Sequence, residues 1–213
     1  MAHNGVLFLD ELPEYHRQTL ETLRQPLEDG VITVSRAART VEYPANFMLV
    51  ASMNPCPCGY YGSANHECSC SPAQIQKYMG RISGPLLDRI DIHIEVDEVR
   101  YDELTSSETA ESSASVKERV NAARRIQTER FAGSQVHSNS KMTSEMIKSC
   151  CALDAAGERI LSNAFDKLGF SARAYTRILK VARTIADLDG NPKIESKHVA
   201  EAIMYRSLDK AVR

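Results

Sequence analysis

The chain has 213 residues, of which 43% are hydrophobic and 25% charged, and its formal net charge is -2. This composition predicts a soluble globular protein with one large domain or two small ones. The near-neutral charge argues against binding to nucleic acid through the overall charge of the chain, so any such binding would need a local basic element. Because there is neither an apolar run near the roughly 20 residues that cross a bilayer nor a secretory signal at the start, we expect no membrane partner and a cytoplasmic location.

The first predicted element is a strand at residues 6–9, and a second apolar run at 47–51 predicts another of the same kind. Continuous apolar runs of this length are typical of interior strands in a parallel sheet, buried on both faces. Such strands need neighbours on both sides, and this sequence supplies only these two. We therefore expect the chain to be a piece of a longer protein.

Between these strands the pattern predicts a helix and a hairpin. Leucines at helical spacing indicate one helix over residues 13–27. Two β-prone runs at 31–34 and 40–43 then predict a β-hairpin whose connecting segment carries Arg36 and Arg39.

The remainder changes from mixed to helical character. A short helix at 72–79 and a third strand at 90–96 are predicted first, and a polar, acidic stretch at 102–115 indicates a linker. Asp154, Ser171 and Ser196 are predicted N-caps, and Gly169 and Gly190 are predicted helix stops. The predicted helices of this half are 116–131, 144–151, 154–168, 171–188 and 196–205.

The most specific feature is an acid pair after the first strand. Asp10 and Glu11 follow four apolar residues, which places two carboxylates at the carboxyl edge of the predicted sheet, where open α/β sheets bind ligands. Asp10 would hold the Mg²⁺ of a nucleotide there, and Glu11 would polarise an attacking water. The alternative is an ordinary acidic start of a helix.

Two further residues would complete such a site. Asn54 follows the second apolar strand, and its amide would orient the water beside a γ-phosphate; the alternative is an Asn that caps the loop. Arg89 lies between Asp88 and Asp91 and would reach the γ-phosphate of a neighbouring subunit as an arginine finger. Its alternative is a local salt bridge with one of these acids, which contributes little if exposed.

The six cysteines form two CxC pairs and one adjacent pair, Cys150 and Cys151. Adjacent cysteines seldom bridge each other, so a reducing compartment is expected. The CxC pairs offer four thiols that would converge on a structural Zn²⁺ and leave no open position for catalysis. The alternative is reduced loop cysteines or adventitious disulfides. The four CxC residues are Cys56, Cys58, Cys68 and Cys70.

Strings along nearly the whole chain resemble AAA+ ATPases of the helix-2-insert group, and in particular the magnesium-chelatase-like ComM/YifB family. The resemblance implies an α/β fold: part of an AAA+ core over residues 1–101, with a partial parallel sheet, helices and an inserted β-hairpin, then a flexible linker at 102–115 and a small all-α lid domain over 116–213. The strings are GVLFLDELPE, LRQPLEDG, SRA, NPCPCGYYG, SGPLLDRID and SARAYTRILKVARTIADL.

The resemblance also implies roles for single residues. Arg173 would be sensor 2, with Arg177 as the fallback, because a helical lid can swing an arginine in its first turn onto the phosphates. The alternative for Arg173 is an ordinary exposed helix arginine. The other implied roles are Walker B for Asp10 and Glu11, sensor 1 for Asn54 and arginine finger for Arg89.

The hairpin with Arg36 and Arg39 resembles one that lines the central pore of related ring helicases and holds DNA. Two guanidiniums per subunit become about twelve in a hexamer, enough to follow a phosphate backbone despite the neutral net charge. The alternative is a solvated turn.

The sequence contains no GxxxxGK[ST] phosphate loop. The family places that loop upstream, so we expect no appreciable ATPase activity from this chain alone. The intact protein is expected to be a homo-oligomer, as a hexamer, that uses ATP with Mg²⁺ to branch-migrate DNA during recombination and natural transformation. Two alternatives stay open: the ATPase subunit of a chelatase that inserts Mg²⁺ into a porphyrin, and a non-catalytic interaction fragment.

Overall fold

The structure is a computed structural model that describes residues 2–36, 39–99, 110–206 and 208. The described chain divides into two compact units. The first contains the residues up to Ile90 together with Leu208, and the second begins at Asp91. The sequence predicted that the first domain ends at residue 101, whereas the observed division falls earlier, after Ile90. Much of the predicted linker at 102–115 lies outside the described residues.

The first unit is built on a pair of parallel strands, β1 (Val6–Leu9) and β4 (Met48–Ala51). Their register sets Val6 opposite Met48 and Phe8 opposite Val50. The two strands are confirmed, but the predicted burial on both faces is wrong, because Phe8 is 58% and Met48 64% exposed. Among the described residues no layer covers the sheet face that carries these four side chains.

The single helix predicted over 13–27 is replaced by three short elements. A 3₁₀ turn (Leu12–Glu14) is followed by α1 (Arg17–Thr22) and α2 (Arg24–Asp29). Pro26 explains the break, since it has no N–H to donate to the carbonyl of residue 22 in a continuous helix. Gly30 then ends α2 with a φ of 70°, a left-handed conformation that glycine adopts without steric cost.

The predicted hairpin is confirmed and is longer than expected. Strands β2 (Val31–Arg36) and β3 (Arg39–Pro44) pair antiparallel, and the last pair in the register is Arg36 with Arg39. The cross-strand pair Ile32 and Tyr43 is 42% and 55% exposed. This pair of large side chains in the hairpin is therefore open to solvent.

Two capped helices complete the first unit, α3 (Pro72–Met79) and α4 (Gly84–Leu87). The sequence predicted α3 with these bounds. Its N-cap Ser71 accepts the N–H of Gln74, whose side chain accepts the N–H of Ser71 in return.

The third predicted strand, at residues 90–96, is wrong. Residues 91–99 belong to no strand in the structure. Within the second unit, the N–H of His93 instead donates to the carbonyl of Tyr205 at 2.8 Å. An alternating pattern forms a strand only beside a partner strand, and this segment pairs with none in the part of the chain that is described.

The core of the first unit supports the residues that follow β1. Leu12 packs there with Leu20, Ile82, Leu86 and Leu87. Leu12 directly follows Glu11, so this core fixes the chain immediately beyond the acid pair.

Truncating Leu86 tests this core. The side chain is fully buried, so Leu86→Ala is expected to lower the free energy of unfolding by about 2–5 kcal/mol through lost burial and a residual cavity. Urea titration followed by circular dichroism measures this change. Met48→Ala, which truncates an exposed side chain of the same unit, is the control and should change stability by less than about 0.5 kcal/mol. Equal effects of the two substitutions would contradict this assignment of the core.

The regular elements described in the second unit are all helices, as predicted, and no helix there or elsewhere in the described chain is long and apolar enough to cross a bilayer. Its core includes Leu161, Phe170, Ile178 and Val199. The elements are α5 (Ser113–Arg130), a 3₁₀ turn (Asn139–Lys141), α6 (Ser144–Cys150), α7 (Ala155–Leu168), α8 (Ala172–Leu188) and α9 (Ser196–Met204).

Most of the predicted helix ends are confirmed. The side chains of Asp154 and Ser171 cap α7 and α8, and Gly169 ends α7 in a left-handed conformation. The predicted cap Ser196 is wrong, since it is already helical. Glu195 is the N-cap, and its N–H donates to Nδ1 of His198 at 2.9 Å.

Candidate functional site

The predicted acid pair lies at the carboxyl edge of the parallel strands. Pairing continues past both strand ends, because Ser52 N–H donates to the Leu9 carbonyl at 3.0 Å and Leu12 N–H donates to the Ser52 carbonyl at 2.8 Å. Asp10 and Ser52 thus lie side by side. The structure brings Asp10 and the segment leading to Asn54 to one edge of the sheet. The side chains of Asp10 and Asn54 are both exposed to solvent.

Ser52 is a site residue that sequence reasoning missed. Its hydroxyl donates to Oδ1 of Asp10, which holds that carboxylate in one orientation. The same hydroxyl accepts the N–H of Glu11 at 3.2 Å. The available signal was a hydroxyl residue directly after the strand that pairs with the acid-bearing one, four positions before the first CxC pair.

Glu11 has a strained backbone. Its φ and ψ are both 51°, a left-handed conformation that a non-glycine residue rarely adopts. Two acceptors hold its N–H in place, Oδ1 of Asp10 at 3.1 Å and Oγ of Ser52 at 3.2 Å. Backbone strain supported in this way is concentrated at functional sites, and here it coincides with an exposed carboxylate.

Asn54 is tied to α3 through Tyr78. Burial raises the pKa of Tyr78, and a hydrogen bond with the backbone of Asn54 offsets part of that rise. Since Tyr78 is buried in the first unit, this contact anchors the backbone of Asn54 while its side chain stays exposed.

Arg89 points into its own unit. Its side chain is only 7% exposed and forms an ion pair with Glu28. Its guanidinium also donates to the Pro85 carbonyl at 2.6 Å. Glu28 is a partner that the sequence did not predict, and a role of Arg89 as arginine finger, which stays a prediction, requires its release from Glu28.

The two candidate sensor arginines lie on one helix of the second unit. Arg173 is exposed in the first turn of α8. Arg177, one turn later, forms an ion pair with Asp91 of the same unit. Both roles stay predictions.

The four CxC cysteines converge, as predicted. Sγ of Cys56 lies 3.3 Å from Sγ of Cys58 and 3.7 Å from that of Cys68, and the Cys58 and Cys68 sulfurs are 3.6 Å apart. With Cys70 included, all four sulfurs lie within 4.8 Å of one another.

The surroundings of the cluster shift the pKa values of its thiols in opposite directions. A backbone hydrogen bond from Tyr60 holds the pKa of Cys58 at about 5. Loss of solvation raises the pKa of Cys70 to about 12, and the neighbouring thiols add to that rise.

The fold defines the class of this protein. A parallel strand pair with acids at its carboxyl edge, a β-hairpin inserted between its strands and a following all-α unit form part of an AAA+ fold. Residues 1–104 match the family described as magnesium chelatase, subunit ChlI, and residues 110–206 match its C-terminal part. The chain belongs to this magnesium chelatase family.

Known proteins are similar in sequence to this chain over almost its entire length. It is 47% identical over 209 residues to competence protein ComM of Haemophilus influenzae and 46% identical over 211 residues to the uncharacterized protein YifB of Escherichia coli, which cover 98% and 99% of the chain. An uncharacterized protein of Mycobacterium bovis is 36% identical over 205 residues, or 96% of the chain. The ComM/YifB resemblance is thereby confirmed. The chain spans 40% of the length of each of these relatives.

Proposed function

We propose that this chain is part of an ATP-hydrolysing ring motor that acts on DNA, and that it supplies the hydrolytic edge of the nucleotide site. The observation that carries this proposal is the Asp10–Ser52 hydrogen bond beside the strained Glu11 at the carboxyl edge of the parallel strands. In open α/β sheets this edge is where ligands bind.

The residues at the edge suit Mg-ATP. The exposed carboxylate of Asp10, oriented by Ser52, is a hard oxygen ligand of the kind that Mg²⁺ prefers, and the cation would neutralise charge on the phosphates. Glu11 would accept a proton from the attacking water, and the Asn54 amide would orient that water. Arg89 would act from a neighbouring subunit after leaving Glu28, and Arg173, or else Arg177, would contact the phosphates.

The exposed hairpin is the proposed DNA contact. Because the net charge of the chain is -2, binding to DNA must depend on local basic residues. The register pairs Arg36, the last residue of β2, with Arg39, the first residue of β3. Repeated around a hexamer, these pairs would follow a phosphate backbone. The name of the Haemophilus relative, a competence protein, favours a role in uptake and recombination of foreign DNA.

The test is ATP hydrolysis by the longer protein that contains this chain, measured with and without DNA. We expect DNA to stimulate hydrolysis, and the double substitution of Arg36 and Arg39 by alanine to abolish the stimulation while the basal rate persists. Replacing Lys117 and Arg125 on α5 by alanine removes the same charge from an exposed helix and is the matched control.

Two outcomes would contradict the proposal. Full stimulation by DNA after loss of both hairpin arginines would remove the hairpin from DNA binding. Hydrolysis that depends on a porphyrin instead of DNA would support the alternative of a chelatase subunit. The relatives that match nearly all of the chain do not favour that alternative.

A further inference from the structure

We propose that Cys56, Cys58, Cys68 and Cys70 form a structural Zn²⁺ site with four thiolate ligands. Zinc bound to thiolates at about 2.3 Å sets neighbouring sulfurs of a tetrahedron about 3.8 Å apart. The separations among the sulfurs of Cys56, Cys58 and Cys68 are 3.3, 3.6 and 3.7 Å, and none of the six separations in the cluster exceeds 4.8 Å. The thiols are thus already arranged nearly as a tetrahedral ion requires.

The arrangement differs from that of disulfides. A disulfide joins two sulfurs at about 2.0 Å and leaves other cysteines apart, whereas Cys56 is about equally close to two partners. Thiols make only weak hydrogen bonds, which do not account for four sulfurs gathered at these separations. A dication bound to all four sulfurs would hold them together, which is the physical reason for assigning an ion to the cluster.

The type of ligand decides the type of ion. Four sulfurs exclude Mg²⁺ and Ca²⁺, which take oxygen ligands, and favour zinc or iron. Four cysteine sulfurs arranged as a tetrahedron around one ion, with no position left open, are the arrangement of structural zinc sites. The site is therefore separate from the magnesium site proposed at Asp10.

The backbone around the cluster is shaped to hold it. Tyr61 N–H donates to Sγ of Cys56 at 3.3 Å, and the Gly59 N–H donates to the Cys56 carbonyl at 3.0 Å. Gly59 takes a φ of 86°, so the tight turn between the first CxC pair and Tyr61 requires a glycine. The ring of His66 lies against that of Tyr60 at a tilt of 45°, with ring centroids 4.8 Å apart, and His66 is not one of the grouped ligands.

The four cysteines lie in the segment that connects β4 to α3. Residues 52–71 contain no helix or strand, so a metal is the natural source of order for this long segment. Cys56 lies two residues after Asn54, and Cys70 directly precedes Ser71, the N-cap of α3. The ion would therefore fix the position of α3 relative to the end of β4, and with it Asn54.

Metal content tests the site without reference to ATP. We expect the complete chain, purified under reducing conditions, to carry one zinc per chain by elemental analysis. The Co²⁺-substituted protein should show the thiolate-to-cobalt charge-transfer band and the intense visible bands of a tetrahedral four-sulfur site. The double substitution Cys56→Ser with Cys68→Ser should abolish binding, and Cys150→Ser with Cys151→Ser is the matched control that should retain it.

Three results would overturn the proposal. These are a reduced wild-type protein that carries no metal and takes up no Co²⁺, iron with sulfide in place of zinc, and zinc retained without Cys56 and Cys68. Because the wild-type metal content and cobalt spectrum need no variant, a substitution that fails to fold leaves the decision intact. Loss of the DNA-motor function would not affect these readouts, so the two proposals fail separately.

Discussion

Replacing Glu11 with glutamine is expected to lower the rate of ATP hydrolysis by the longer protein roughly 10²–10⁴-fold, the usual contribution of a positioned general base. Glutamine keeps the size and hydrogen-bonding capacity of the side chain but cannot accept a proton from water. The strained backbone at Glu11, held by Asp10 and Ser52, should persist in the variant. The measurement is steady-state phosphate release at saturating Mg-ATP, with nucleotide affinity determined in parallel.

Glu14→Gln is the matched control for this variant. Glu14 is an exposed acid three residues later, paired with Arg81 at 3.1 Å across the surface, and such a pair contributes little. Its substitution should leave the rate nearly unchanged. If the Glu11 variant hydrolyses ATP as fast as the wild type, or if its affinity for nucleotide falls in step with its rate, Glu11 is not the base.

Replacing Asp187 with alanine is expected to lower the free energy of unfolding of the helical unit by about 3–5 kcal/mol, the cost of breaking a buried ion pair from one side. The side chain of Asp187 is fully buried. It accepts from Arg130 at 2.5 and 2.7 Å, from Nε of Arg183 at 3.1 Å and from Nδ2 of Asn139 at 2.8 Å. Alanine would leave the buried guanidinium of Arg183 without its carboxylate.

Urea unfolding followed by helical circular dichroism measures the loss. Asp166→Ala, an exposed acid on α7, removes the same charge and should change stability by less than about 0.5 kcal/mol. A loss of under 1 kcal/mol for the Asp187 variant would show that its partners find compensation in water or in the carbonyls of Asn191 and Pro192, to which Arg183 also donates.

Most features that depend on neighbours in sequence were predicted correctly, although the cap at Ser196 and the single helix over 13–27 were not. The apolar runs of β1 and β4, the antiparallel pairing of β2 with β3, and the caps Asp154 and Ser171 each follow from local spacing or local hydrogen bonds. The juxtaposition of Asp10 with the segment before Asn54 followed as well, because parallel strands bring their carboxyl ends to one edge. The CxC spacing likewise predicted the convergence of the four cysteines.

The remaining features depend on contacts between residues far apart in the chain. Glu28 as the partner of Arg89, Ser52 as the partner of Asp10 and the burial of Asp187 among residues of three elements have no local signal. The failed strand at 90–96 and the exposed face of β1 have the same origin, since a pattern states which side chains prefer burial but not which surface will cover them. Only the tertiary structure decides that, because burial and ion pairing are properties of the neighbours that packing supplies.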